Sequence, residues 1–232
     1  VNVTQYIAGG FILTRRVARP SYVAEFLPPR ILSASTCICP TLPDNWSLLW
    51  TGSDAADRQR EAAAWGADFR ELAEWTAREL DAGGIGWPNV VADLPGARAF
   101  AQRVLPVGSE IVLLGLGLHE TLAEQFERET THPENQTEPG IRSVLARREP
   151  FPAPGRPLGH EVLCYDSGSF HSWLCNGLEK PLTQQLGTAT NDEGLIDDLT
   201  VAIAAAEYCG RDDVGAEPGL WMPWLLVQYS LG

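Results

Sequence analysis

Cys164, Asp166 and His171 stand in one short stretch, residues 157–177, PLGHEVLCYDSGSFHSWLCNG. A thiol, an imidazole and a carboxylate are the residue types of a nucleophile, its base and the group that orients the base. Whether they meet depends on how the stretch folds. Residues 159–166 and 169–176 each alternate in the manner of a strand, and Ser167-Gly168 between them suits a two-residue turn. That register sets Asp166 opposite Ser169, Cys164 opposite His171, Val162 opposite Trp173 and His160 opposite Cys175, with all eight on one face. Cross-strand Cβ atoms lie about 4.5–5.5 Å apart. His171 would then reach the Cys164 thiol and, when protonated, favour its thiolate. A three-residue loop would instead put Ser172 opposite Cys164.

Two other readings of the same face compete with the catalytic one. His160, Cys164, His171 and Cys175 are all zinc-ligand types, but the two cross-strand pairs are about 13 Å apart at about 3.3 Å per residue. One ion with ligands at about 2.0–2.3 Å cannot collect all four, so no metal is expected. The simplest reading makes Val162, Trp173 and both cysteines core, with the histidines hydrogen-bonded at its edge.

The other chemistry in the chain is electrostatic. The 232 residues carry 30 Asp and Glu against 17 Lys and Arg, a net charge of −13. Such a chain lacks the basic footprint that nucleic acid requires and is repelled by anionic membrane surfaces. It suits a basic protein partner, whose association opposite charge accelerates. The acids concentrate near the C-terminus: Asp192, Glu193, Asp197, Asp198, Glu207, Asp212 and Asp213. These read as a docking surface, or else as a solvated helix face with acids suited to the N-terminal dipole. The leading expectation is a cytosolic bacterial binding module that masks a basic partner, in the manner of an antitoxin or immunity protein. The alternative is a hydrolase or transferase using Cys164 as nucleophile, His171 as base and Asp166 as orienting group.

Composition bounds the rest. No run of about 18 apolar residues is present, so no membrane span is expected. The N-terminal segment has no basic region before its apolar run and does not read as a signal peptide. Five cysteines form no disulfide framework, which fits a reducing cytoplasm. Cys37 and Cys39 form a CxC pair that would point the same way on a strand, with core packing the simpler role. Gly115-Leu116-Gly117 precedes a helix in the manner of a dinucleotide turn, but position 120 is Glu where a third glycine belongs. No cofactor is expected.

The elements that must position these residues read as follows. Strands are expected over 5–14 (bulged at Gly9-Gly10), 31–39, 44–50, 89–92, 111–116, 141–148, the hairpin and 221–229. Helices are expected over 20–27, from Ser53 to Gly66, and over 68–80, 94–105, 119–130 and 193–208. Hairpin strands together with helix-separated strands predict a single α+β domain over 1–232, with a mixed, mainly antiparallel sheet packed by several helices. The Pro-rich connector at 149–159 is the one candidate subdivision.

Overall fold

The structure is a computed structural model that describes residues 3–42, 55–86, 90–106, 110–130, 140–166 and 169–232. The expected strand at 44–50, the Ser53 cap and the Ser167-Gly168 turn lie outside the described residues.

The fold is α+β, built on a mainly antiparallel curled sheet. Three long strands dominate it: β1 (Tyr6–Thr14), β7 (Val112–His119) and β10 (Leu220–Tyr229). β8 (Arg156–Asp166) and β9 (Ser169–Ser172) extend one side, while β4 (Thr41–Leu42), β5 (Ile85–Gly86) and β6 (Val90–Val91) extend the other. The order is β5-β6-β1-β7-β10-β8-β9, with β4 also on β1, and every pairing among these strands is antiparallel. A separate pair joins β2 (Val17–Ala18) to β3 (Arg30–Ile31). Strands from both sides of the Pro-rich connector share the main sheet, since β10 pairs with β7 on one edge and β8 on the other.

The central strands are apolar on both faces because helices or loops cover both. The bulge between Ala8 and Gly10 switches the pleat parity of β1. Tyr6, Ala8, Phe11 and Leu13 therefore share one core, and Ile7 and Ile12 the other. α2 (Phe69–Asp81) and α3 (Leu94–Val104) cover the first side, capped by Asp68 and Asp93. α1 (Ala55–Trp65) packs beside α2. α4 (Glu120–Glu129) and α5 (Ile141–Leu145) contribute to the second core. Gly115 and Gly117 lie inside β7, not in a turn. A Cβ on Gly117 would come 2.5 Å from Ile7 O and from the Phe151 ring, so glycine there serves close packing. α6 (Glu179–Leu186) and α7 (Leu199–Cys209) build a third core with Val162, Cys164 and Trp173.

Several expectations are corrected. Residues 20–27 form turns, 141–145 a helix, and 31–39 leave the strand after Ile31. α6 falls in a stretch with no expected element. The last helix starts at Leu199, capped by Asp198, because Ile196 bridges to His160 in strand fashion. Pro223 is accommodated in β10 because pairing with β7 begins only at Leu225.

Candidate thiol site

The hairpin register is as expected in its first half: Asp166 pairs with Ser169, Cys164 with His171 and Leu163 with Ser172. Beyond Ser172 the chain leaves the ladder. Trp173 N still donates to Val162 O at 3.0 Å, but Cys175 N turns back to Ser172 O at 2.9 Å. His160 therefore does not meet Cys175. Its backbone pairs with Ile196, and its ring is held by two bonds. Nδ1 lies 2.9 Å from Ile196 O and so must carry the proton, while Nε2 accepts from Tyr6 Oη at 2.7 Å. Burial holds His160 below its ordinary pKa. It is a neutral core histidine with no lone pair left for a metal. Among the described residues, no three His, Cys, Asp or Glu side chains converge as metal ligands.

A buried carboxylate organises the neighbouring loop. Glu161, on the β8 face opposite Cys164, is 1% exposed. It accepts from Ser33 Oγ, from Ala34 N at 2.8 Å and from Ser172 Oγ at 2.7 Å. Ser35 Oγ donates to Phe170 O at 2.8 Å. Together these bonds fasten the loop after β3 onto β9. Ser35 then opens a turn: its Oγ accepts from Cys37 N at 3.3 Å, and its carbonyl accepts from Ile38 N and Cys39 N. The turn separates the CxC pair. Cys39 points inward and burial pushes its thiol up to about 12, whereas Cys37 is exposed.

Cys37 is thereby delivered to the end of the hairpin. Its Sγ lies 3.5 Å from His171 Nδ1. Cys175, half-buried in the turn after β9, lies 3.6 Å from Ser35 Oγ, and its side chain interacts with that of Cys37. The interaction with Cys175 is the largest influence on Cys37. Bonds from Ser35 and His171 and the His171 charge add to it and outweigh partial burial, holding Cys37 down to about 5. Cys175 is pushed the other way, first by that same interaction and then by burial. Glu217 Oε1 stands 3.8 Å from the same His171 Nδ1, and Glu217 Oε2 is buried with no hydrogen-bond partner among the described residues.

Cys164 stands differently. It is fully buried, its sulfur faces Glu217 O at 4.0 Å, and burial followed by the Asp166 and Glu217 charges pushes it up to about 12. The structure brings the Cys164 and His171 backbones opposite each other, but the thiol at His171 Nδ1 is Cys37. Asp166 pairs with Ser169, on the rung beside the connection between β8 and β9.

No family model, curated protein or solved structure gives a significant match to this chain.

The acidic residues are dispersed in role. Glu193 bridges Arg16 at 2.8 Å and Arg156 at 3.1 Å. Asp197 accepts from Asn191 Nδ2 at 2.6 Å. Asp198 caps α7 through Val201 N at 3.0 Å. Asp213 is forked by Arg211. Asp192, Glu207 and Asp212 are exposed. The strand expected over 31–39 hides Cys37 from Cys175, because the chain leaves it after Ile31. The signal that could have found the turn is Ser33-Ala34-Ser35-Thr36, since serine and threonine hydroxyls bond the local backbone in turns.

Proposed function

We propose that the protein works through the Cys37 thiolate, as a cysteine-dependent enzyme acting on a small electrophile. The observation that carries this is the exposed Cys37 sulfur, in interaction with the Cys175 side chain and 3.5 Å from His171 Nδ1. A thiolate is the nucleophilic form of cysteine, and a partly exposed site with cationic and hydrogen-bonding neighbours is where one persists at neutral pH. Cys37 is the nucleophile. His171 offers a ring nitrogen to the sulfur at 3.5 Å, and Glu217 Oε1 stands 3.8 Å from the same nitrogen. Cys37 and Glu217 approach the same ring nitrogen, so the imidazole does not bridge them through its two nitrogens as in a nucleophile–base–acid relay. The geometry favours Cys37 over Cys164 for this role, with five free thiols suited to a reducing compartment such as a bacterial cytoplasm.

The test is the rate of alkylation by iodoacetamide as a function of pH, mapped by mass spectrometry of peptides. Cys37 should react fastest, with a midpoint near the 5 that its surroundings set. Cys39, Cys164 and Cys209 should stay unmodified in the folded protein. A Cys37 midpoint at the ordinary thiol value, or faster labelling of Cys164, defeats this reading.

The second reading is an acidic binding module that masks a basic partner, of the antitoxin or immunity kind. It is favoured by the net charge of −13 and by the exposed Asp192, Glu207 and Asp212. Capture from a native lysate should then return a basic protein at low salt and lose it at high salt. Recovery independent of salt counts against it.

A further inference from the structure

We propose that Cys37 and Cys175 are a redox pair: Cys37 takes an oxygen atom from a hydroperoxide, and Cys175 resolves the product as a reversible Cys37–Cys175 disulfide. This rests on the thiolate reading above and names the class of electrophile.

Two observations beyond the exposed thiolate carry it. The two thiols meet at Ser35, whose Oγ lies 3.3 Å from Cys37 N and 3.6 Å from Cys175 Sγ, and their side chains interact although one belongs to the loop after β3 and the other to the turn after β9. Both sit in turns, so neither side chain is held by a strand pleat. Each can rotate toward the roughly 90° torsion a disulfide requires. The three remaining cysteines are buried. A neighbouring thiol also discriminates between chemistries. It would draw an acyl group from Cys37 only into an equivalent thioester. It converts a sulfenic acid into a stable disulfide.

The steps balance. The Cys37 thiolate attacks the distal oxygen of ROOH, forming an S–O bond as the O–O bond breaks. The alkoxide takes a proton from water and leaves as ROH. The Cys175 sulfur then attacks the Cys37 sulfur. The S–S bond forms, the S–O bond breaks, and hydroxide departs with the thiol proton as water. Oxidation of Cys37 also removes the Cys37 influences that keep the Cys175 thiol protonated, which eases its attack on the Cys37 sulfur. A small dithiol returns the pair to its reduced form by exchange.

The experiment treats the reduced full chain with one equivalent of hydrogen peroxide at neutral pH. Remaining thiols are then alkylated and the unreduced peptides are mapped. The expected product is a linked Cys37–Cys175 peptide pair that dithiothreitol separates. Cys175→Ser should instead leave a Cys37 sulfenic acid that dimedone traps. A wild-type chain in which Cys175 remains alkylatable after peroxide overturns the proposal, as does a crosslink between Cys164 and Cys209. The wild-type measurement decides even if the variant does not fold. Fast alkylation of Cys37 with no crosslink removes only the redox inference. Slow alkylation of Cys37 removes the thiolate reading as well.

Discussion

Cys175 lowers the Cys37 pKa more than His171 does, and the two influences can be separated by substitution. Cys175→Ala removes the side-chain interaction and should raise the Cys37 alkylation midpoint by roughly one unit or more, since bonding to the charged form is what favours it. Cys175→Ser keeps a donor and should largely preserve the midpoint. His171→Asn should move it less than Cys175→Ala. If His171→Asn produced the larger shift, His171 would be the dominant cause and Cys175 a bystander.

Glu161 is the other titrating group, and its sign is opposite. Burial, opposed by the bonds from Ser33, Ala34 and Ser172, lifts it from 4.5 to about 7. A carboxyl raised in the folded state stabilises folding most below its unfolded value. That contribution is lost as pH rises from 4.5 through about 7. The shift corresponds to about 3 kcal/mol. Cys37, lowered from 9 to about 5, contributes stability that is present at high pH and lost as pH falls through 5. Between 5 and 7 the two slopes oppose each other. Denaturant unfolding of Cys37→Ser across this range should therefore expose the downward Glu161 slope, and Glu161→Gln should abolish it. A flat profile for Cys37→Ser would show that Glu161 titrates normally.

At the scale of elements, the thiol site is a product of the clamp. Glu161→Ala strands Ser33, Ala34 N and Ser172 and frees the loop that carries Cys37. About 2–4 kcal/mol of stability should go with it, because each buried donor left unpaired costs about 1–3 kcal/mol. Cys37 alkylation should slow toward that of an ordinary thiol. Unchanged Cys37 reactivity would place the loop under some other constraint. Gly117→Ala tests the sheet in a different way. Its Cβ would meet a backbone oxygen and the Phe151 ring at 2.5 Å. A loss of about 1–3 kcal/mol is expected, as for overpacking elsewhere.

These two elements also mark what the sequence could and could not show. β7, β10, α2 and α3 are legible because burial on both faces, or an Asp cap before an apolar stripe, writes itself into local pattern. The hairpin register through Ser172 follows from alternation. What local pattern does not contain is contact between distant segments. Ser33, Glu161 and Ser172 form one network, yet nothing local to any of them names the others. The run 31–39 alternates like a strand, but its serines are satisfied by a carboxylate from β8 and by their own turn. The departure after Ser172 hides in the same way, since Ile196 takes the ladder position that Cys175 was expected to fill.

For the molecule as a whole, the net charge of −13 is spread over acids with different duties. Glu193, Asp197, Asp198 and Asp213 each hold an internal partner. Reversing them would disturb the fold before it tested a partner: Asp198→Lys removes the cap of α7 at a cost of about 1 kcal/mol and puts a cation at the positive end of its dipole. The discriminating variant reverses only the exposed acids, Asp192→Lys, Glu207→Lys and Asp212→Lys. It shifts the net charge by six, to −7, while leaving those four internal partnerships in place. Under the binding reading, association with a basic partner should weaken roughly tenfold or more at low salt and lose much of its salt dependence, since exposed charges act chiefly on the long-range encounter. Under the thiolate reading, the Cys37 alkylation midpoint should be unmoved by the same three changes, because its causes are contacts at the site. The triple variant thus separates the two functions in one molecule. Weakened capture with unchanged thiol chemistry assigns the acids to a partner, and unchanged capture leaves them as ordinary solvated surface.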